Sequence, residues 1–376
     1  MGKPKRLKVG VLTSSRADYS IYTPLLLKME ADPFFDMEIL AFGTHLMEKY
    51  GHTVDYIYQD GFKIVEIGST MSEGDSPIDI SNAMAYTILA FSSLFEKKDY
   101  QLIFALGDRY EMFAAAAASV PFTITIAHIG GGETTLGAID NAFRNSITGF
   151  SSIHFAATDV YRDRIREITG GDKHIYNMGS LSIDNLKKLK LLDLNEFNDQ
   201  FGINMSLPTI LFTFHPETVD YQKNKIYIKE IINVLEKLSG YQLLITMPNA
   251  DTKGLMVREE LENYAANQES VYTLKSLGTV GYLSAMKHCS FLLGNTSSGF
   301  HEAAFFPKWV INLGDRQRGR IITPNIIDTP IERKAILNSI QQIENTNVPA
   351  NCNIYGDGNT ADRILTIIKK IFKSND

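Results

Sequence analysis

Short apolar runs alternate with amphipathic stretches along the whole 376-residue chain, the pattern of βα units around a parallel sheet. Residues 7–13 (LKVGVLT) read as the first strand. A helix beginning near Ser20 carries Tyr22, Leu25, Leu26 and Met29 at helical spacing. Residues 36–42 and 62–67 follow as strands, residues 69–79 (Gly, Ser, Asp, Pro) as a mobile loop, and residues 80–95 as a long helix. The run 102–106 is a buried strand ending at GDRYE and leading into an Ala-rich helix. Residues 122–129 form another strand ending at Gly130-Gly131-Gly132, before a strand at 154–158 and a charged helix at 160–169. A second series starts at 209–214, with strands in YQLLITM, SVYTL, FLLG and WVINL and helices at 225–238 and 257–267.

The polar stretch 195–207 is the expected linker. The reading is α/β, with two Rossmann-like domains at 1–195 and 196–358. A C-terminal helix in 359–376 is expected to pack back on the first domain. Two such domains side by side face a cleft at the carboxyl ends of both sheets, where ligands of open α/β folds bind.

Composition narrows this picture without changing it. The length suits two domains of about 150 residues each. Lys and Arg total 37 against 43 Asp and Glu, so the net charge of −6 argues against a nucleic-acid partner. Cys289 and Cys352 stand far apart without a CxxC or Cys/His pattern, which fits a reducing cytoplasm and no structural metal. No apolar run approaches about 20 residues, so neither a signal sequence nor a membrane span is expected.

The informative polar residues cluster where strands end. TSSRADYS (13–20) after the first strand is able to meet an anion with backbone N–H groups and the Arg16 guanidinium; a plain N-cap with a surface arginine is the alternative. GDRYE places Asp108, Arg109 and Glu111 directly after an apolar strand, as a site or as an Asp–Arg structural pair. In HIGGGETTLGAIDNAFRN (128–145) three glycines let backbone approach a ligand, and Glu133 and Asp140 bring carboxylates to the same rim.

FHPET closes the first strand of the second series. Its His215 is held extended by the following proline, either aimed into the cleft or satisfied structurally. In GNTSSGFHEAAF, Thr296, Ser297, Ser298 and Gly299 open a helix whose N-terminus suits a diphosphate, with Glu302 one turn in for ribose hydroxyls; a simple cap is the alternative. GDRQRGR (314–320) presents three arginines, an unbalanced cluster without an anion unless the loop is merely solvated.

SRADYS, GDRYE, HIGGGE, HPET, GNTSSG, GDRQRGR and IYGDGN, in this order over nearly the whole chain, resemble the hydrolysing UDP-N-acetylglucosamine 2-epimerases of sialic and legionaminic acid synthesis. The resemblance implies a glycosyltransferase-B architecture, a nucleotide-diphosphate sugar as substrate, no cofactor or metal, and a homodimer or homotetramer. It implies proton transfer by Asp108 and Asp140, with Glu133 a further candidate, and His215 at the leaving phosphate. Arg16 and Arg316 would contact the diphosphate, Thr296 and Ser297 the phosphates, and Glu302 the ribose. Ser20, Arg109, Asn249, Ser298 and Gly299 complete the expected substrate contacts.

One position departs from the pattern. Many members read HIEGGE, with a catalytic Glu where this chain has Gly130. Either another carboxylate such as Glu133 takes over, or the substrate is a bulkier diacetamido sugar. A glycosyltransferase of the same architecture and a binding protein without chemistry are the competing functions.

Overall fold

The computed structural model describes residues 6–68, 70–247, 254–274, 277–350 and 352–373. Contacts divide the chain into two compact units. The first comprises Met1–Glu133, Asp140–Lys187 and Tyr355–Asp376; the second comprises Thr134–Ile139 and Lys188–Ile354.

The first unit is built on seven strands: β1 (Leu7–Thr13), β2 (Phe35–Ala41), β3 (Ile64–Glu66), β4 (Leu102–Leu106), β5 (Thr125–Ile129), β6 (Ile153–Ala156) and β7 (Ile175–Asn177). All pair in parallel in the order β3-β2-β1-β4-β5-β6-β7, so the order reverses direction between β1 and β4. Its helices are α1 (Arg16–Glu30), α2 (Val54–Gln59), α3 (Pro77–Phe95), α4 (Tyr110–Ser119), α5 (Asp140–Phe150), α6 (Asp159–Thr169) and α7 (Leu181–Lys188). Strand residues such as Val9, Val11, Ile103 and Phe104 are fully buried, as a parallel sheet covered on both faces requires.

Several helix starts differ from the pattern reading because caps decide them. α1 starts at Arg16, four residues before Ser20, because Ser15 and Asp18 form a capping box. α3 starts at Pro77, inside the expected loop, because Ser76 and Asp79 cap it and proline suits the first turn.

α3 is also long and apolar enough, by length and composition, to cross a membrane, contrary to expectation. In this unit its Ala83, Thr87, Phe91 and Phe95 are buried and it packs on α4.

The second unit holds β8 (Thr209–Thr213), β9 (Gln242–Thr246), β10 (Val271–Leu274), β11 (Phe291–Gly294), β12 (Val310–Leu313) and β13 (Ile326–Thr329), all parallel in the order β10-β9-β8-β11-β12-β13. The helices are α8 (Leu194–Phe201), α9 (Asn224–Leu235), α10 (Gly254–Ala265), α11 (Gly278–His288), the four-residue α12 (Glu302–Phe305) and α13 (Arg333–Glu344). The expected linker at 195–207 therefore contains a helix. Asp193 caps α8 through the Asn195 and Glu196 amides, and Phe197 is fully buried beneath it. The division between units falls at Lys187 and Lys188 instead.

The last helix, α14 (Thr360–Lys373), packs on α1 in the first unit with Ala361, Ile364, Leu365 and Ile368 buried. The buried Asp184 carboxylate of α7 fixes its start, accepting the Thr360 and Ala361 amides at 2.9 and 2.8 Å.

Candidate active site

At the end of β1 the Asp18 carboxylate accepts the Ser14 and Ser15 amides at 2.7 and 2.8 Å and both serine hydroxyls. The amides expected to meet an anion are thus already filled by the protein's own carboxylate. Arg16 is the first residue of α1, whereas Ser20 lies in the second turn with its carbonyl accepting from Asn185. Below this turn buried His45 bridges the Thr13 and Thr53 hydroxyls at 2.9 and 2.8 Å. Burial lowers its pKa, opposed by the charge of Asp18.

At the end of β4 the charges pair otherwise than GDRYE suggested. Arg109 is committed to the fully buried Glu111, with N···O distances of 2.8 and 3.2 Å, so its guanidinium serves the fold in preference to a ligand. Asp108 pairs instead with Arg144 of α5, a residue whose importance the sequence reading missed. Arg144 also donates to the Glu133 carbonyl at 3.0 Å, and it sits one helical turn beyond Asp140, the first residue of α5. One buried guanidinium therefore touches Asp108 and the Glu133 backbone and shares a helix face with Asp140.

The three glycines after β5 serve different ends. A Cβ at Gly132 would lie 2.1 Å from the Tyr161 carbonyl oxygen, and one at Gly131 would crowd Thr148 and His128; both positions are packed against the protein. At Gly130 a Cβ would make only ordinary van der Waals contacts. A Cβ there would meet Gly107 N at 3.7 Å and the Glu133 Oε1 at 4.0 Å, on a backbone with φ of +84°. Triple glycine as a ligand approach therefore reduces to this single position. His128 is fully buried between the Gly107 carbonyl (2.8 Å) and the Thr148 hydroxyl (3.1 Å), and burial pushes its pKa down to about 4. The neutral ring donates from Nε2 to Gly107 and holds the turn that presents Asp108.

In the second unit, buried Asn295 clamps His215 by accepting its amide at 2.7 Å and donating to its carbonyl at 2.8 Å. The next motif does not open a regular helix. Ser297–Gly299 is a 3₁₀ turn, followed only by the four-residue α12, so little dipole is available for a phosphate. What this loop offers is hydroxyls. The Ser297 side chain is exposed, while Ser298 bonds Thr296 at 3.1 Å and the Tyr282 hydroxyl at 2.5 Å. Tyr282, on α11, is a further group missed in the sequence; burial pushes its pKa up to about 12. Gly299 is small for packing, since a Cβ would meet Val310 at 2.9 Å, and the Glu302 side chain is buried.

In the GDRQRGR loop one arginine is taken up by neutral neighbours. Arg320 is buried, donates to Gln317 at 2.5 Å, lies 3.1 Å from His301 Nε2 and stands over the Phe300 ring. Arg318 is exposed and Arg316 half-buried. Asn249 lies outside the described residues. Among the described residues no cluster of three or more His, Cys, Asp or Glu side chains is arranged for a metal.

Two parallel-sheet units with charges and hydroxyls gathered at their strand ends define an open α/β protein of the kind that binds ligands at those ends. The chain belongs to the UDP-N-acetylglucosamine 2-epimerase family, whose model matches residues 27–369. It is 33% identical over 325 residues to the GDP/UDP-N,N'-diacetylbacillosamine 2-epimerase (hydrolyzing) of Campylobacter jejuni, covering 86% of this chain and 84% of that protein. It is 30% identical to the UDP-N,N'-diacetylbacillosamine 2-epimerase (hydrolyzing) of Legionella pneumophila, covering 97% of this chain and 96% of that one. The crystal structure of UDP-GlcNAc 2-epimerase from Neisseria meningitidis bound to UDP-GlcNAc shares the fold, with a TM-score of 0.79 at 18% identity over 96% of this chain and 100% of that chain.

Proposed function

We propose that this chain, a hydrolysing nucleotide-sugar 2-epimerase, acts on a nucleoside-diphosphate-linked 2,4-diacetamido sugar. Gly130 carries the reading: the carboxylate of the HIEGGE pattern is absent, and a Cβ placed there meets only ordinary contacts, with the Glu133 Oε1 4.0 Å away. We read the missing side chain as room for a second acetamido group, with Glu133 the carboxylate nearby. The names of the Campylobacter and Legionella relatives, which specify a diacetamido sugar, support the same choice.

The chemistry follows from the substrate. The C2 proton is not acidic, so it leaves as the C1–O bond breaks. The C2–H electron pair becomes the C1=C2 double bond, and the departing nucleoside diphosphate takes the C1–O pair. Water then adds, its hydroxyl to C1 and a proton to the opposite face of C2, giving the free 2-epimeric sugar. Asp108, Asp140 and Glu133 are the proposed proton-transfer groups. Charge builds on the diphosphate as it leaves, and Arg16, Arg316, Thr296 and Ser297 are the proposed donors to it. Glu302 is assigned to the ribose and His215 to the leaving phosphate.

The proposed setting is a reducing cytoplasm, consistent with two free, buried cysteines, and a route to sialic- or legionaminic-type acids. A homo-oligomer is proposed as well, supported by Ile78, Tyr86 and Leu89, which stand exposed along α3.

Proton NMR in D₂O decides the substrate, with UDP- and GDP-linked GlcNAc and 2,4-diacetamido-trideoxy sugars tested in parallel. Free 2-epimer carrying deuterium at C2, formed fastest from a diacetamido donor, is expected. Preference for UDP-GlcNAc would overturn the sugar assignment, and no turnover of any of them would overturn the reaction.

A further inference from the structure

We infer that Thr218 and Gly137 are positioning residues for this reaction: they anchor a six-residue strap that joins two of its carboxylates to the loop carrying Arg316. The inference rests on the reaction proposed above. The chain leaves the first unit after Glu133 and re-enters it at Asp140, and the residues between, Thr134–Ile139, cluster with the second unit. Both flanking residues are proposed proton-transfer groups, so whatever fixes the strap limits where they stand.

The strap is held at three points. Ile139, immediately before Asp140, donates its amide to the buried Thr218 hydroxyl at 2.9 Å. Leu136 donates its amide to the Arg318 carbonyl at 2.9 Å. Gly137 lies so close to the same loop that a Cβ would stand 2.3 Å from the Asp315 carbonyl oxygen and 2.6 Å from the Arg316 Cα. Glycine is required there for closeness alone, since no real Cβ tolerates such contacts with backbone.

Opposite this contact, the Glu217 carboxylate accepts the Asp315 amide at 2.7 Å. Two consecutive residues of the HPET motif thus hold the two pieces, Glu217 the arginine loop and Thr218 the strap. A hydroxyl that accepts one buried amide and a glycine pressed on the loop make strap and loop move together.

Three variants test this in the full chain. Thr218→Val keeps the shape but leaves the Ile139 amide unsatisfied. It should lower kcat roughly 10-fold with KM changed by less than about 2-fold, and Thr218→Ser should restore most of the loss. Gly137→Ala forces the Arg316 backbone to shift and should weaken UDP and GDP binding, measured by calorimetry, roughly 10-fold.

Hydrogen exchange of the peptide spanning 134–139 supplies a readout independent of turnover. Thr218→Val should speed its exchange while wild type and Thr218→Ser stay slow. Unchanged kcat in Thr218→Val, a loss that Thr218→Ser fails to restore, or unchanged exchange overturns the inference. An inactive wild type with strap exchange dependent on Thr218 overturns the proposed reaction and leaves the anchor standing.

Discussion

Arg144 is the largest fully buried side chain among the described residues, and replacing it is the sharpest test of how the first unit holds its acidic groups. Its side chain is 2% exposed, while that of its partner Asp108 is 23% exposed. Two unit charges about 4 Å apart attract by about 4 kcal/mol at an effective dielectric of about 20. Water at Asp108 screens part of this, leaving about 2 kcal/mol, and the bond to the Glu133 carbonyl adds about 1 kcal/mol. Arg144→Met, similar in volume and uncharged, should therefore destabilise the first unit by about 3 kcal/mol. Calorimetry should show its transition falling by roughly 6–12 °C.

The partner variant separates the pair from its surroundings. Asp108→Asn leaves a buried guanidinium facing a neutral acceptor and should cost about 2 kcal/mol. The double variant removes both charges and should be no worse than Arg144→Met alone, a coupling of about 2 kcal/mol. Asp108→Asn should also lower turnover by about 10² or more while UDP affinity is kept. Simple additivity, with the double variant losing about 5 kcal/mol, would refute the pairing as the source of stability. Unchanged turnover in Asp108→Asn would refute its part in the chemistry.

Two further expectations follow from the turn after β5. Gly132→Ala brings a Cβ to 2.1 Å from a backbone oxygen at a φ of +76° and should destabilise by about 3 kcal/mol or more. Gly130→Ala meets only the φ penalty of about 1 kcal/mol; equal losses in urea unfolding would show that a Cβ at Gly130 is crowded as well. Burial holds both His128 and His154 neutral, pushing their pKa down to about 4, below the ordinary imidazole value of about 6.5. The unfolded chain binds these protons first as pH falls. Their stability is therefore full above about pH 6.5 and declines toward pH 4 by up to about 1.4 kcal/mol per unit for each. His128→Gln should flatten the fall of Tm across that window, and a slope identical to wild type would exclude His128 as a source.

The two parallel-sheet units were legible because fully buried strands read as continuous apolar runs, and LKVGVLT, LIFAL and TILFTF have no other soluble home. Boundaries were less so. Ser15 with Asp18, Ser76 with Asp79 and Asp193 with Glu196 each start a helix by side-chain bonds that outweigh the polar look of the segment. The helix α5 was not assigned from the pattern for a related reason: its buried face includes the polar Asp140, Arg144 and Thr148, so the apolar spacing of a helix is missing.

The candidate site divides along the same line. Polar motifs at strand ends could be located from local pattern, because strands end where apolar runs stop. Their partners could not, because pairing is set by topology across long separations. GDRYE suggested an Asp–Arg pair within itself. Instead β4 and β5 lie side by side, and Asp108 is matched with an arginine 36 residues away while Arg109 turns to Glu111. His215 is set by Asn295, 80 residues on, because β8 and β11 are neighbours at the point where strand order reverses. The same reasoning changes how arginine and glycine counts should be read. Of the three arginines in GDRQRGR, Arg320 is satisfied by Gln317 and stands near His301, and of the three glycines after β5, two are filled by the protein's own packing. Much of the charge and glycine at these strand ends is therefore taken up by the protein's own contacts, and the groups proposed above for the ligand are few, Arg316 and Gly130 foremost. The surrounding charge and glycine hold those few in place.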